Sequence, residues 1–327
     1  MKAVDCPLKR INSTFIGYIL MIYRMDKLTR RAFVLLFLLL VMGSTLGGCR
    51  TFRVDENTFI QPMPGLSKTA VTDSLGTAYS LQYHRIPVDD AELQAAYIQH
   101  RDAMRTVLYF GGNGFRLCEH GLEITQALTA PIDVNLLLVD HRGYGKSTGM
   151  PTIERLKEDA LAVYEYAIDT LETPPESLVV HGMSLGSFLA GHVADHRSTA
   201  GVVLESSVTT VEEWADSVVP WYYKPFVRIE IEGNLQGVGN KYTVRDLDEP
   251  LLLLVGSDDR QTKPMLSRKI YKESTLPEER KELHVLKGAR HGTVIQHPRF
   301  ARIYEQFLIR SATPLDTASH SATTVTQ

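Results

Sequence analysis

The chain has 327 residues, 44% apolar and 22% charged, with 35 basic against 38 acidic side chains and a formal net charge of −3. Such a composition is globular, can bury one large core or two small ones, and carries no basic footprint, which excludes nucleic acid as a partner. Of its three cysteines only Cys118 lies in the body, so no intramolecular disulfide is possible there, and a lone cysteine reads as a small buried hydrophobe.

In chain order, the first predicted element is a targeting segment. Arg24, Lys27, Arg30 and Arg31 precede an uninterrupted apolar run over residues 32–42, and Leu46-Gly47-Gly48-Cys49 follows. A basic region, a short apolar stretch and small residues before a break compose a secretory signal, and the run is short for a membrane span. Leu46-Gly47-Gly48-Cys49 resembles the bacterial lipobox. The resemblance implies a signal peptide over residues 1–48, and Cys49 as the acylated first residue of a mature lipoprotein in the cell envelope. Two or more acyl chains anchor stably where one binds marginally. Arg50, in place of the aspartate associated with inner-membrane retention, points to the outer membrane. The alternative is an uncleaved signal anchor with an incidental cysteine. Residues 1–24 place a second apolar patch ahead of the basic region, so translation is expected to start at Met25 or Met21.

Residues 49–75 carry prolines and polar side chains without a period and predict a tether to a domain over residues 76–310. No internal repeat is evident. Residues 79–85 and 93–100 alternate with period two around Pro87-Val88-Asp89-Asp90, predicting an antiparallel pair. Near-continuous apolar runs follow at residues 106–110, 134–139, 178–180, 201–204 and 251–255, the pattern of strands buried on both faces. Helical patterns lie between them, the clearest over residues 152–170 with Leu156, Ala160, Val163, Tyr164 and Ala167 on one face. This alternation predicts an α/β fold, a mostly parallel central sheet with helices on both faces. It lapses over residues 207–249, too long for a plain connection, and predicts a small cap insertion. Trp214, Trp221, Tyr222, Tyr223 and Phe226 there are either pocket walls or anchors of the cap to the body. The polar, Thr-rich residues 311–327 predict a disordered tail.

The chemistry centres on Gly182-Met183-Ser184-Leu185-Gly186, where an apolar β-branched run meets a predicted helix. A strand reversing into a helix within two residues strains its central residue, and flanking glycines remove the side chains that would collide. The Ser184 hydroxyl is then exposed at the positive end of a helix dipole. An incidental serine in a glycine-rich turn is the alternative.

In an open α/β sheet, reactive groups lie beyond the carboxyl ends of the strands. Four ends carry them: Gly111-Gly112-Asn113-Gly114, the run from Asp140 to Ser147, Gly256-Ser257-Asp258-Asp259, and Lys287-Gly288-Ala289-Arg290-His291. A serine hydroxyl is a weak nucleophile and needs a base, for which neutral imidazole is suited. Of eleven histidines, His284, His291, His297 and His320 follow the candidate acids. His284 falls within a strand, His297 precedes Pro298 at a predicted helix start and His320 lies in the tail, which leaves His291. Asp258 and Asp259 both qualify as the acid that holds the imidazole tautomer. The backbone N–H groups of Asn113 and Leu185 are the candidate oxyanion donors, each worth about 3 kcal/mol. Asp140 and Arg142 are expected to pair and fix a loop beside the site.

These pieces, in this order, resemble the α/β-hydrolase superfamily, and most of all its serine hydrolases with a His-Gly-Asn-x-Gly oxyanion loop. The resemblance implies an α/β-hydrolase fold and a triad of Ser184, His291 and an aspartate, and the family's Gly-x-x-Asp spacing selects Asp259. It implies a small-molecule ester or thioester substrate, an acyl-enzyme on Ser184, and no metal or organic cofactor. One departure is Gly111, which replaces a histidine that packs and orients the loop. The competing readings are a catalytically silent envelope lipoprotein of this fold and an amide-bond hydrolase. Oligomeric state is not legible.

Overall fold

A computed structural model describes residues 50–65 and 77–311. The strands are β1 (Arg50–Val54), β2 (Tyr79–Val88), β3 (Ala91–His100), β4 (Thr106–Phe110), β5 (Asn135–Val139), β6 (Leu178–Met183), β7 (Gly201–Glu205), β8 (Val227–Ile231), β9 (Leu251–Gly256) and β10 (Lys281–Leu286), of which β4, β5, β6, β7 and β9 are the expected apolar runs. The helices are α1 (Glu56–Phe59), α2 (Leu117–Thr129), α3 (Ile153–Asp169), α4 (Leu185–His196), α5 (Val211–Val218), α6 (Asn240–Thr243), α7 (Pro264–Glu273) and α8 (Phe300–Arg310).

Eight strands form one sheet in the order β10-β9-β7-β6-β4-β5-β3-β2. Only β3 runs against the rest, pairing antiparallel with both β2 and β5. Because strand side chains alternate between faces, Leu108 and Phe110 of β4 enter one core while Val107 and Tyr109 enter the other. The first core takes the apolar stripes of α3, α4 and α7, and the second those of α2 and α8. Fully buried leucines and valines such as Leu253 and Val203 each contribute roughly 1.5–3 kcal/mol. Thr152 caps α3, accepting from the Arg155 N–H at 3.2 Å, and the helix buries Leu156, Ala160, Val163, Tyr164 and Ala167 as its pattern requires.

Two expectations change. The stretch expected to be a free tether is, over residues 53–65, bound to the body. Val54 and Ile60 are buried, Asp55 caps α1, and the Phe59 ring stacks on Phe188 at 5.5 Å and meets Trp214 edge-on at 5.7 Å. Beyond it, Gly145 N–H donates to Met63 O and Gly65 N–H to Gly145 O, both at 3.1 Å. Val54, Phe59 and Ile60 have no common period, because what they fill is a groove set by other elements. Residues 66–76, the expected signal peptide with Cys49, and residues 312–327 lie outside the described residues.

The expected cap is the second change. Much of it is core: Val208, Val211, Ala215, Leu235, Val238 and Val244 are buried. The chain resolves into two compact units, one of Arg53–Pro220 with Ile229 onward, and a small one whose described parts are residues 50–52 and Trp221–Arg228. Within the small unit Trp221 meets Tyr222 edge-on at 5.8 Å, and Tyr222 lies 4.7 Å from Tyr223. No helix among the described residues is long and apolar enough to cross a membrane.

Candidate active site

Ser184 stands between β6 and α4 with φ 52° and ψ −114°, a left-handed conformation that a side chain adopts only under strain. The turn is tight enough that a Cβ at position 182 would stand 2.2 Å from Gly186 O, and one at 186 would stand 2.0 Å from Phe110 O. Only glycine fits either place. The Ser184 N–H donates to Glu205 O at 2.9 Å, and Ser187 Oγ donates to Ser184 O at 2.6 Å, which fix the turn from β7 and from the first turn of α4.

His291, from the loop after β10, places Nε2 3.1 Å from Ser184 Oγ, while its Nδ1 lies 2.9 Å from Asp259 Oδ2. With a carboxylate accepting from Nδ1–H, Nε2 is left free to take the serine proton. Burial pushes the Asp259 carboxyl up, but hydrogen bonds and charge from His291 and the donors of Thr262 outweigh it and hold the carboxyl below its ordinary value. Asp258 turns away: its Oδ1 accepts from Ser257 Oγ at 2.8 Å on the exposed side of the loop. The geometry therefore separates the two adjacent aspartates, and Asp259 faces the histidine.

Thr262 was not among the sequence candidates. Its N–H donates to Asp259 Oδ1 and its hydroxyl to Asp259 Oδ2, both at 2.8 Å, and the hydroxyl lies 3.2 Å from His291 Nδ1. Gln261 N–H is the third donor to this carboxylate, reaching Oδ1 at 2.9 Å. The signal in the sequence is Asp259-x-x-Thr262 ahead of Pro264, an aspartate whose side chain closes a turn onto following N–H groups at a helix start.

The oxyanion loop follows β4. Among the described residues, the backbone N–H groups of Asn113 and Leu185 donate to no backbone acceptor. The missing histidine at Gly111 is compensated twice. The Phe115 ring occupies the space a side chain there would need, 2.1 Å from a hypothetical Cβ, and His141 Nε2 lies 2.8 Å from Gly111 O. The Asn113 side chain is tied as well: Oδ1 accepts from Gln61 N–H at 3.0 Å and from the Tyr144 hydroxyl, and Nδ2 donates to Phe59 O at 3.2 Å. The bound N-terminal strap is therefore part of the loop's support.

The expected Asp140–Arg142 pair does not form. Arg142 is buried and pairs with Asp159, at 2.9 and 2.7 Å, and with Asp90. Asp140 instead accepts from the N–H of Leu117 at 2.7 Å and of Lys146 at 3.0 Å, pinning the start of α2 beside the oxyanion loop. Among the other histidines, His181 is a buried core residue between the Tyr304 hydroxyl at 3.2 Å and Glu205 Oε2 at 3.3 Å, and His284 lies 2.9 Å from Glu282 Oε2. Trp214 acts as an anchor: its Nε1–H donates to Gln261 O at 3.0 Å while its ring rests on Phe59. Cys118 is a free, buried thiol on α2. No cluster able to hold a metal occurs among the described residues.

The mostly parallel eight-stranded sheet, the strained serine after β6, and the acid and histidine after β9 and β10 in that chain order define an α/β-hydrolase fold. Comparison with known proteins agrees. The prolyl oligopeptidase family (Peptidase_S9) matches residues 154–309. The chain is 26% identical to the lysophosphatidylserine lipase ABHD12 of Danio rerio, over 77% of this chain and 69% of that one. It is 26% identical to protein bem46 of Schizosaccharomyces pombe over 44% of this chain, and spans only half the length of bem46. Among solved structures, the Pyrococcus furiosus esterase Pf2001 superposes with a TM-score of 0.59 at 19% identity, covering 75% of this chain and 98% of the esterase.

Proposed function

We propose that the protein is a serine hydrolase that cleaves carboxylic esters or thioesters through an acyl-enzyme on Ser184. The observation that carries this is the continuous relay from Ser184 Oγ through His291 to Asp259, at 3.1 and 2.9 Å. As Ser184 Oγ attacks the carbonyl carbon, its proton passes to His291 Nε2, and Asp259 stabilises the imidazolium. The N–H groups of Asn113 and Leu185 receive the oxyanion, at about 3 kcal/mol each. Collapse breaks the bond to the leaving alcohol or thiol, which takes the proton from His291. Water then repeats the sequence against the acyl-enzyme, releasing the acid and returning the proton to Ser184. The lipase name of the ABHD12 relative and the esterase fold neighbour support an ester substrate.

Anchoring belongs to the same proposal: Cys49 is lipidated after removal of residues 1–48, and the domain acts at the cell envelope, at the outer membrane in preference to the inner. A second reading, hydrolysis of amide bonds, is favoured by the prolyl oligopeptidase family match over residues 154–309. The test is fluorophosphonate labelling of wild type beside Ser184→Ala, followed by turnover of an ester and an amide that share one acyl group. Labelling lost with Ser184→Ala and faster ester turnover are expected. An unlabelled wild type would move the reading to a silent envelope lipoprotein, and faster amide turnover to a peptidase.

A further inference from the structure

A cavity of about 270 Å³ is lined by Tyr109, Phe115, His120, Ile124, Met183 and Ile295. Its rim is built from the neighbours of each reactive group. Gly112 and Asn113 belong to the oxyanion loop, Met183 precedes the nucleophile, and Gly292 follows His291. Gly112 is in direct register with the nucleophile, since a Cβ there would stand 3.4 Å from Ser184 Cβ and 2.6 Å from Met183 Sδ. Two carboxylates, Glu205 and Glu123, also line the space, and Glu205 is buried with Oε2 3.3 Å from His181 Nε2. A wider cleft is lined by His291 itself together with Asp258, Arg260, Lys263 and Arg290.

We propose that this cavity is the acyl-chain site, and that it selects neutral, medium-length acyl groups. The inference rests on the acyl-enzyme reading of Ser184. A bound acyl carbon has its oxygen at the Asn113 and Leu185 N–H groups and its leaving group within reach of His291 Nε2. The wide, charged cleft that His291 lines suits a polar leaving group, which directs the acyl chain into the mostly apolar cavity lined by the oxyanion loop. At roughly 30 Å³ for a group the size of a water, the cavity holds about eight or nine chain atoms. Each methylene removed from water favours binding, so specificity climbs by roughly tenfold for every two carbons until the cavity is full. A chain that ends in its own carboxylate meets the buried Glu205 and the exposed Glu123 and is disfavoured, because like charges repel.

The experiment measures kcat/KM on the full chain in detergent for nitrophenyl esters from acetate to palmitate, and for the half-ester of an eight-carbon dicarboxylic acid. We expect a rise that stops near eight to ten carbons, and at least a tenfold disadvantage for the half-ester against octanoate. Ile295→Trp should move the break to shorter chains and lower the octanoate-to-butyrate ratio at least tenfold. Ile295→Ala, the variant easier to fold, should move the break to longer ones. A flat series, a rise that continues through palmitate, a break that neither variant moves, or a half-ester turned over as fast as octanoate would overturn the assignment. A protein that takes up fluorophosphonate yet shows these results loses only the cavity assignment, whereas one that is never labelled loses the hydrolase reading itself.

Discussion

His291 can serve Ser184 only while its Nδ1 proton stays aimed at Asp259, and that carboxylate is itself held by three donors from Gln261 and Thr262. Asp259→Asn should therefore cost up to about 10⁴-fold in kcat by mis-setting the tautomer, while Asp258→Asn, on the exposed side of the loop, should cost far less. The reverse ranking in folded protein would reassign the acid. Thr262→Val removes one hydrogen bond to a charged acceptor, worth about 1.5–3 kcal/mol, so kcat should fall ten- to a hundredfold with KM little changed. An unchanged kcat would show that the threonine is a bystander. Asp140 offers a test through stability. Burial pushes its carboxyl up to about 6, against the pull of the Leu117 and Lys146 N–H groups. The folded state thus holds the proton more tightly than the unfolded one, so native stability from this group falls as pH rises from about 4 to about 6. At roughly 1.4 kcal/mol per unit the loss approaches 3 kcal/mol. Asp140→Asn lacks this titration, so in urea unfolding it should gain on wild type by up to about that amount between pH 4 and 7. A difference that stays constant with pH would refute the upward shift of this buried carboxyl.

At the scale of elements, the strap over residues 53–65 links the N-terminal end of the described chain to the oxyanion loop. Phe59 O and Gln61 N–H both bond the Asn113 side chain, and Met63 and Gly65 pair with Gly145. A form starting at residue 50 retains these contacts, and one starting at residue 66 loses them all. The shorter form should keep Ser184, His291 and Asp259 in place yet lose at least tenfold in kcat/KM and in the rate of fluorophosphonate labelling, with unfolding at lower urea. Equal activity of the two forms would show that the strap only covers the body. None of this support was visible in the sequence. Strands buried on both faces advertise themselves as apolar runs, and α3 as a stripe of period 3.6. A strap has no period of its own, because each of its side chains answers to a different neighbour. The Asp140–Arg142 expectation failed for the same reason: proximity in the chain suggested a pair, but Arg142 reaches Asp159 on α3.

Across the whole molecule, two cores flank one sheet, and the reactive groups stand where β4, β6, β9 and β10 end. The proposed anchor at Cys49 would tie this body to a membrane through a lead-in of only a few residues before the strap begins. Wild type should partition into the detergent phase with an acylated, blocked Cys49, and Cys49→Ser should stay aqueous or retain its signal. A wild-type protein without acyl mass at residue 49 would remove the anchor while leaving the site intact.

The sequence by itself determined the alternating pair β2 and β3, the apolar runs that become β4, β5, β6, β7 and β9, the helix α3, the glycine-flanked Ser184, and His291 as the histidine after the last strand. Each of these is local, a matter of period, of turn chemistry or of position after an apolar run. Choosing between Asp258 and Asp259 needed either a family spacing or the fold, since adjacent residues point to opposite sides of a loop and only the tertiary path says which side holds the histidine. The approach of Thr262 to His291, His141 behind Gly111, the strap on Asn113 and the cavity between Phe115 and Ile295 were decided by tertiary structure alone. They join residues from about thirty to more than a hundred positions apart, and contacts across such distances leave no period in the chain to be read.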